Sequence, residues 1–92
     1  MKYEVKFTSR FKKDYKLAQR RGLDIAALEK VIEMLADGLE LPEECHDHLL
    51  VGNYSGSREC HINSDWLLIY KLFDDVLVLE LSRTGSHSDL FG

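Results

Sequence analysis

The sequence predicts a single α+β domain over residues 1–92: a strand, a two-helix hairpin, then a three-stranded antiparallel meander with a short C-terminal tail. Three observations carry this. KYEVKF at 2–7 alternates polar and apolar residues, the period of a half-buried strand. Two stretches between Ser9 and Asp37 repeat apolar side chains at helical spacing, with Arg21-Gly22 between them. Finally, Trp66–Phe73 and Val76–Leu81 are near-continuous apolar runs flanking Asp74-Asp75, as expected of central strands covered on both faces.

Each element has a local cause. Thr8 or Ser9 can cap a first helix whose Phe11, Asp14, Tyr15 and Ala18 share one side, leaving Lys12, Lys13, Lys16 and Arg20 outward. Gly22 closes that helix because glycine accepts the left-handed conformation of a C-terminus. Asp24 caps a second helix, in which Leu28, Val31, Ile32 and Leu35 form the apolar stripe; Gly38 stops it and Pro42 forbids its continuation. Pro42–Ser57 reads as a loop with a brief extended piece at Leu49–Val51 and a turn at Gly52-Asn53. RECHIN at 58–63 alternates Cys60 and Ile62 against Glu59 and His61, so one face enters the core while His61 looks outward. Asn63-Ser64-Asp65 makes the next turn, and the strand at Val76–Leu81 is followed by the tail SRTGSHSDLFG, Ser82–Gly92.

Composition bounds the function. With 92 residues, 45% of them hydrophobic, the chain supports one core. It contains no charged leader with an apolar stretch behind it and no run of membrane-spanning length, so a soluble, cytoplasmic protein without membrane contact is expected. Cys45 and Cys60 are expected as reduced thiols. The net charge of -4 conceals an asymmetry: residues 1–21 carry +6 and residues 22–92 carry -10. A basic first helix either faces a nucleic acid or an acidic protein, or is a solvated surface.

All four histidines, His46, His48, His61 and His87, lie in the second half. Meander connections can bring His61, Asp65, Arg83 and His87 to one rim, with His48 joining from the preceding loop. Metal-free RNA cleavage needs a base for the 2'-hydroxyl proton, a cation for the crowded phosphorane and an acid for the departing 5'-oxygen. Histidines and a carboxylate beside an arginine supply every role, and Phe91 or Trp66 could stack an unpaired base. A zinc site from Cys45, His46, His48, Cys60 and His61 matches no common spacing, and Cys60 and His61 point to opposite faces of a strand. A nucleophilic cysteine is disfavoured because Cys60 falls on the apolar face.

The run DHLLVGNYSGSRECHINSDWLLIYK, the ending LSRTGSHSDLFG and the segment FKKDYKLAQRRG together resemble the YafQ branch of the RelE/ParE toxin superfamily over almost the whole chain. The resemblance implies a RelE-like fold and a bacterial toxin of a type II toxin-antitoxin system. Such a toxin enters the ribosomal A site and cuts mRNA there without a metal or other cofactor until a cognate antitoxin silences it. Carried over by position, the catalytic set is His48, His61, Asp65, Arg83 and His87, with Trp66 and Phe91 as RNA-contacting aromatics; Lys12, Lys13 and Lys16 are the basic residues expected to face RNA. His87 is expected as the general acid, His61 or Asp65 with His48 as base, and Arg83 as the phosphate cation. The chain departs from the family pattern at Leu49 and Ser55, where proline and lysine are frequent, which removes one implied phosphate contact. The implied partners are the antitoxin, the ribosome with its mRNA, and operator DNA only through the antitoxin. The competing readings are a gyrase-binding toxin of the same fold and a catalytically silent corepressor module.

Overall fold

Alternation along the strands decides which layer each side chain joins, and the strands here have layers of unequal thickness on their two sides. The computed structural model describes all 92 residues, Met1–Gly92. Strands β1 (Glu4–Phe7), β2 (His48–Leu49), β3 (Arg58–Asn63), β4 (Trp66–Phe73) and β5 (Val78–Gly85) form one sheet in the order β1-β5-β4-β3-β2. β1 pairs in parallel with β5, and the remaining pairs are antiparallel.

Helices α1 (Ser9–Arg20) and α2 (Ile25–Ala36) start at the side-chain caps Thr8 and Asp24. Their Phe11, Ala18, Leu28, Val31 and Leu35 pack against Cys60, Trp66, Leu68, Tyr70, Leu79 and Leu81 in the main core. The intervening residues Leu67 and Ile69 point to the opposite face. There they meet Leu90 of α3 (His87–Phe91), with Leu50 and Tyr54 alongside. The central strands are thus covered on both sides, by two helices on one face and by five helical residues on the other.

Four expectations are corrected. The extended piece after the Pro42 loop is His48–Leu49, not Leu49–Val51, and His48 lies opposite Glu59 in the sheet. The β4-β5 turn takes four residues, Asp74–Leu77, with Leu77 in the left-handed region at φ 53, so the last strand begins at Val78. That strand also runs on to Gly85, which makes Arg83 a sheet residue. The tail beyond it is a helix, nucleated by a capping box in which the Ser86 hydroxyl accepts from the Asp89 backbone and the Asp89 carboxylate accepts from Ser86.

Candidate active site

The thinly covered face carries the histidines. On β3, Glu59 and His61 pair with Ile69 and Leu67 and share their side of the sheet, while Cys60 pairs with Leu68 and enters the helical core. His48, opposite Glu59, joins the same face. Its loop is pinned from the other side of the sheet: the Asp47 carboxylate accepts from Arg58 Nε and Nη2, both at 3.3 Å, and from the Tyr70 hydroxyl at 2.5 Å. His48 Nδ1 in turn lies 2.6 Å from the His46 carbonyl oxygen, which fixes the ring.

Glu59 is the centre of this group and is nearly enclosed, its side chain 5% exposed, with His48 Nε2 at 3.6 Å and His61 Nε2 at 3.8 Å. It was not among the expected site residues. The signal was present in RECHIN, where the alternation that turns His61 away from the core turns Glu59 with it.

α3 supplies the remainder. His87 donates its backbone N–H to Asp65 Oδ1 at 3.0 Å, and its Nδ1 lies 2.5 Å from the same oxygen. The backbone donor, then the ring, hold the Asp65 carboxyl below the usual carboxylate range. An ionised Asp65 fixes the His87 tautomer with Nδ1 as donor and leaves Nε2 as the nitrogen free to exchange a proton. The same interaction makes Asp65 a poor base.

Helix placement depends on close approach. A Cβ on Gly85 would lie 2.9 Å from the Asp89 Cβ, so only glycine lets α3 turn back this tightly. Arg21 Nη1 then clamps Asp89 at 2.9 Å and, with the Ser86 backbone N–H, brings its carboxyl down to about 2. The result is a continuous row of rings across the open face. His46 and His61 are 5.5 Å apart, His61 and His87 5.8 Å, His87 and Phe91 6.2 Å, and Phe91 and Tyr54 5.5 Å between centroids. Phe91 remains 48% exposed and free to stack on a planar group.

Arg83 reaches this face through a β-bulge. Tyr70 pairs with Leu81 and Ile69 with Arg83, so Ser82 is the extra residue and Arg83 points to the side of Ile69. Glu59, Ile69 and Arg83 lie in one cross-strand row, which separates the Arg83 and Glu59 backbones by roughly 10 Å at the usual strand spacing. The guanidinium is paired with Asp14, which raises its already high pKa.

The other expected positions divide. Trp66 is only 3% exposed and packs in the main core beside Leu68, so it cannot hold a base; its register-determined direction, toward the helices, corrects that assignment. Lys12, Lys13 and Lys16 are exposed on α1, in the helical layer and not on the histidine face. Lys12 and Lys16 border an apolar groove of about 770 Å³ with Phe7, Tyr15 and Ile32. Cys45 and Cys60 are free and buried, and burial raises both thiol pKa values, so neither is a thiolate nucleophile at neutral pH. Together, Glu59, His61 and His87 offer ligand atoms within 4.8 Å of one another, a set that can hold a metal ion, and none of the cysteines belongs to it.

A small α+β domain with a histidine-carboxylate cluster on its open sheet face is the form of a RelE-like toxin. Residues 3–92 match the family model described as the bacterial toxin of type II toxin-antitoxin system, YafQ, and the chain belongs to that family. It is 41% identical over 90 residues to the mRNA interferase toxin YafQ of Escherichia coli strain K12, covering 97% of this chain and 96% of the relative. The toxin in the crystal structure of the E. coli DinJ-YafQ toxin-antitoxin complex superposes with a TM-score of 0.89 at 39% identity, over 100% of both chains. A metal-bound toxin from Helicobacter pylori superposes with a TM-score of 0.90 at 37% identity, covering 97% of this chain and 99% of that one. No helix of the chain is long and apolar enough to cross a membrane.

Proposed function

We propose that the chain is an mRNA interferase that cuts mRNA in the ribosomal A site by metal-independent acid-base chemistry and is silenced by a cognate antitoxin. The observation that carries this reading is the joining of two histidine-carboxylate groups, Glu59 with His48 and His61, and Asp65 with His87, on one accessible face. One phosphodiester laid across His61 and His87 meets both a proton acceptor and a proton donor. His61, assisted by His48 and Glu59, takes the 2'-hydroxyl proton; that oxygen attacks the phosphorus; His87 Nε2 gives its proton to the leaving 5'-oxygen. Products are a 2',3'-cyclic phosphate and a 5'-hydroxyl. Arg83 stabilises the charge on the phosphorane, and Phe91 stacks the base beside the cut.

The name of the E. coli relative and its capture in complex with DinJ support the substrate class and the existence of an antitoxin partner. The lysines of α1 and the groove they border suit contacts away from the cut: ribosomal RNA, or the antitoxin. Operator DNA is reached only through that antitoxin. Against a gyrase-binding toxin stands the clustering of proton carriers, which a binding surface does not need.

The H. pylori toxin is a metal-bound relative, and the Glu59, His61 and His87 atoms fit an ion. An ion there would occupy nitrogens that the proposed chemistry uses for proton transfer, so it is expected to inhibit. The test is cleavage of end-labelled mRNA on programmed ribosomes, with chelator and with added zinc or copper. The prediction is A-site cuts ending in a cyclic phosphate that persist in chelator, are lost on metal addition, and fall at least about 100-fold in His87→Ala. Cleavage that requires added metal would contradict the mechanism, and no cleavage by folded wild-type protein would favour the gyrase-binding or corepressor readings.

A further inference from the structure

Asp14 is the sole carboxylate in α1, whose other charged residues are all basic. It is turned inward, its side chain 12% exposed, and it meets the end of β5 where β1 no longer covers that strand's edge. The β1-β5 register stops at Phe7 and Leu81. Immediately beyond, Thr8 caps α1 by accepting from the Phe11 backbone at 3.0 Å and donates its hydroxyl to the Ser82 carbonyl at 2.7 Å. The start of the helix is therefore fastened to the bulged residue itself.

One and a half turns later, Asp14 Oδ2 accepts from the Thr84 backbone N–H at 3.2 Å and from Arg83 Nε at 2.9 Å, while Oδ1 accepts from Arg83 Nη2 at 3.1 Å. This two-pronged grip uses the Nε–Nη2 edge of the guanidinium, and the Tyr54 hydroxyl is its further hydrogen-bonding neighbour. Tyr54, whose hydroxyl donates to the Leu90 carbonyl at 3.2 Å, lies beside the same guanidinium and ends the row of rings leading to His87. An arginine has many rotamers and only 18% of this side chain is exposed, so a half-buried partner decides which edge it presents.

We infer that Asp14 is a positioning residue for the cleavage reaction: it holds Arg83 by Nε and Nη2 so that the Nη1 edge is presented to a phosphate on the histidine face. The bulge at Ser82 chooses the face, and Asp14 chooses the angle. This rests on the assignment of Arg83 as the phosphate cation. A carboxylate acting only as a cap for Thr84 would contribute to folding and leave the rate per folded molecule alone.

The test compares wild type, Asp14→Asn, Arg83→Ala and the double variant in single-turnover cleavage on programmed ribosomes, with unfolding midpoints measured alongside. Arg83→Ala should lower the saturating rate about 100-fold, and Asp14→Asn roughly tenfold, with half-saturating toxin concentration unchanged for Asp14→Asn. The double variant should be no slower than Arg83→Ala. Added guanidinium ion should restore part of the Arg83→Ala rate and fail to do so in the double variant, because Asp14 is what holds the guanidinium. A wild-type rate for Asp14→Asn, multiplying losses, or equal rescue in both backgrounds would overturn the positioning role while leaving Arg83 in place. A wild-type rate for Arg83→Ala would instead remove the phosphate role of Arg83, and the inference with it. If Asp14→Asn does not fold, Asp14→Glu keeps the charge and displaces it by one methylene. It should lower the saturating rate alone, and a wild-type rate there would overturn the assignment.

Discussion

The two faces of the sheet are built from alternate residues of the same strands and are used differently. Toward α1 and α2, Cys60, Leu68, Tyr70, Leu79 and Leu81 are fully buried. On the other side, the equivalent strand positions hold Glu59, His61 and Arg83 around a small apolar patch of Leu67, Ile69 and Leu90. Neighbouring residues thus serve unrelated ends: one face supplies the burial that holds the fold, and the other keeps proton carriers near water. A five-residue helix is too short to persist alone, so α3 stays in place through Leu90, the Arg21–Asp89 pair and the tight Gly85 turn.

The largest effect should come from the closed face. Leu79→Ala removes a side chain with no exposed surface and is expected to cost about 2–5 kcal/mol in denaturant melts while leaving cleavage per folded molecule unchanged. A loss below about 1 kcal/mol, or a rate change in protein that remains folded, would break the division between faces.

A smaller effect belongs to the open face and to acid. The folded pKa of Asp89, about 2, lies below its ordinary 3.8, so its contribution is complete above 3.8 and is lost as pH falls toward about 2. Amide exchange measured across that window should show residues 87–91 losing protection before β4 does. Simultaneous loss in both would mean that α3 is not a separately held layer.

Much of this was legible because periodicity is local. The helix hairpin, its caps at Thr8 and Asp24, the apolar strands and the outward His61 all follow from spacing and capping chemistry. The histidine-bearing tail was also legible as a candidate site, although its capping box, Ser86-x-x-Asp89, shows it to be a helix. What escaped depends on pairing between distant segments. The parallel β1-β5 contact and the Ser82 bulge are set by backbone register, which no stretch of residues displays on its own, and the bulge decides the face of Arg83. Trp66 was misread for a related reason: it begins the strand beside the polar turn Asn63-Ser64-Asp65, yet alternation with Leu68 and Tyr70 sends it into the core. Glu59 was overlooked although it shares the His61 face, because a glutamate on a strand is ordinarily solvated, whereas this one lies between β2 and β4 with His48 and His61 beside it.

The most direct measurement pairs two adjacent residues, His61→Ala and Cys60→Ala, reading cleavage rate per folded molecule and unfolding midpoint for each. His61→Ala should slow cleavage about 100-fold at an unchanged midpoint, and Cys60→Ala should lower stability by about 1 kcal/mol at an unchanged rate. If both substitutions lowered rate and stability together, the separation of chemistry and core onto opposite faces would be wrong.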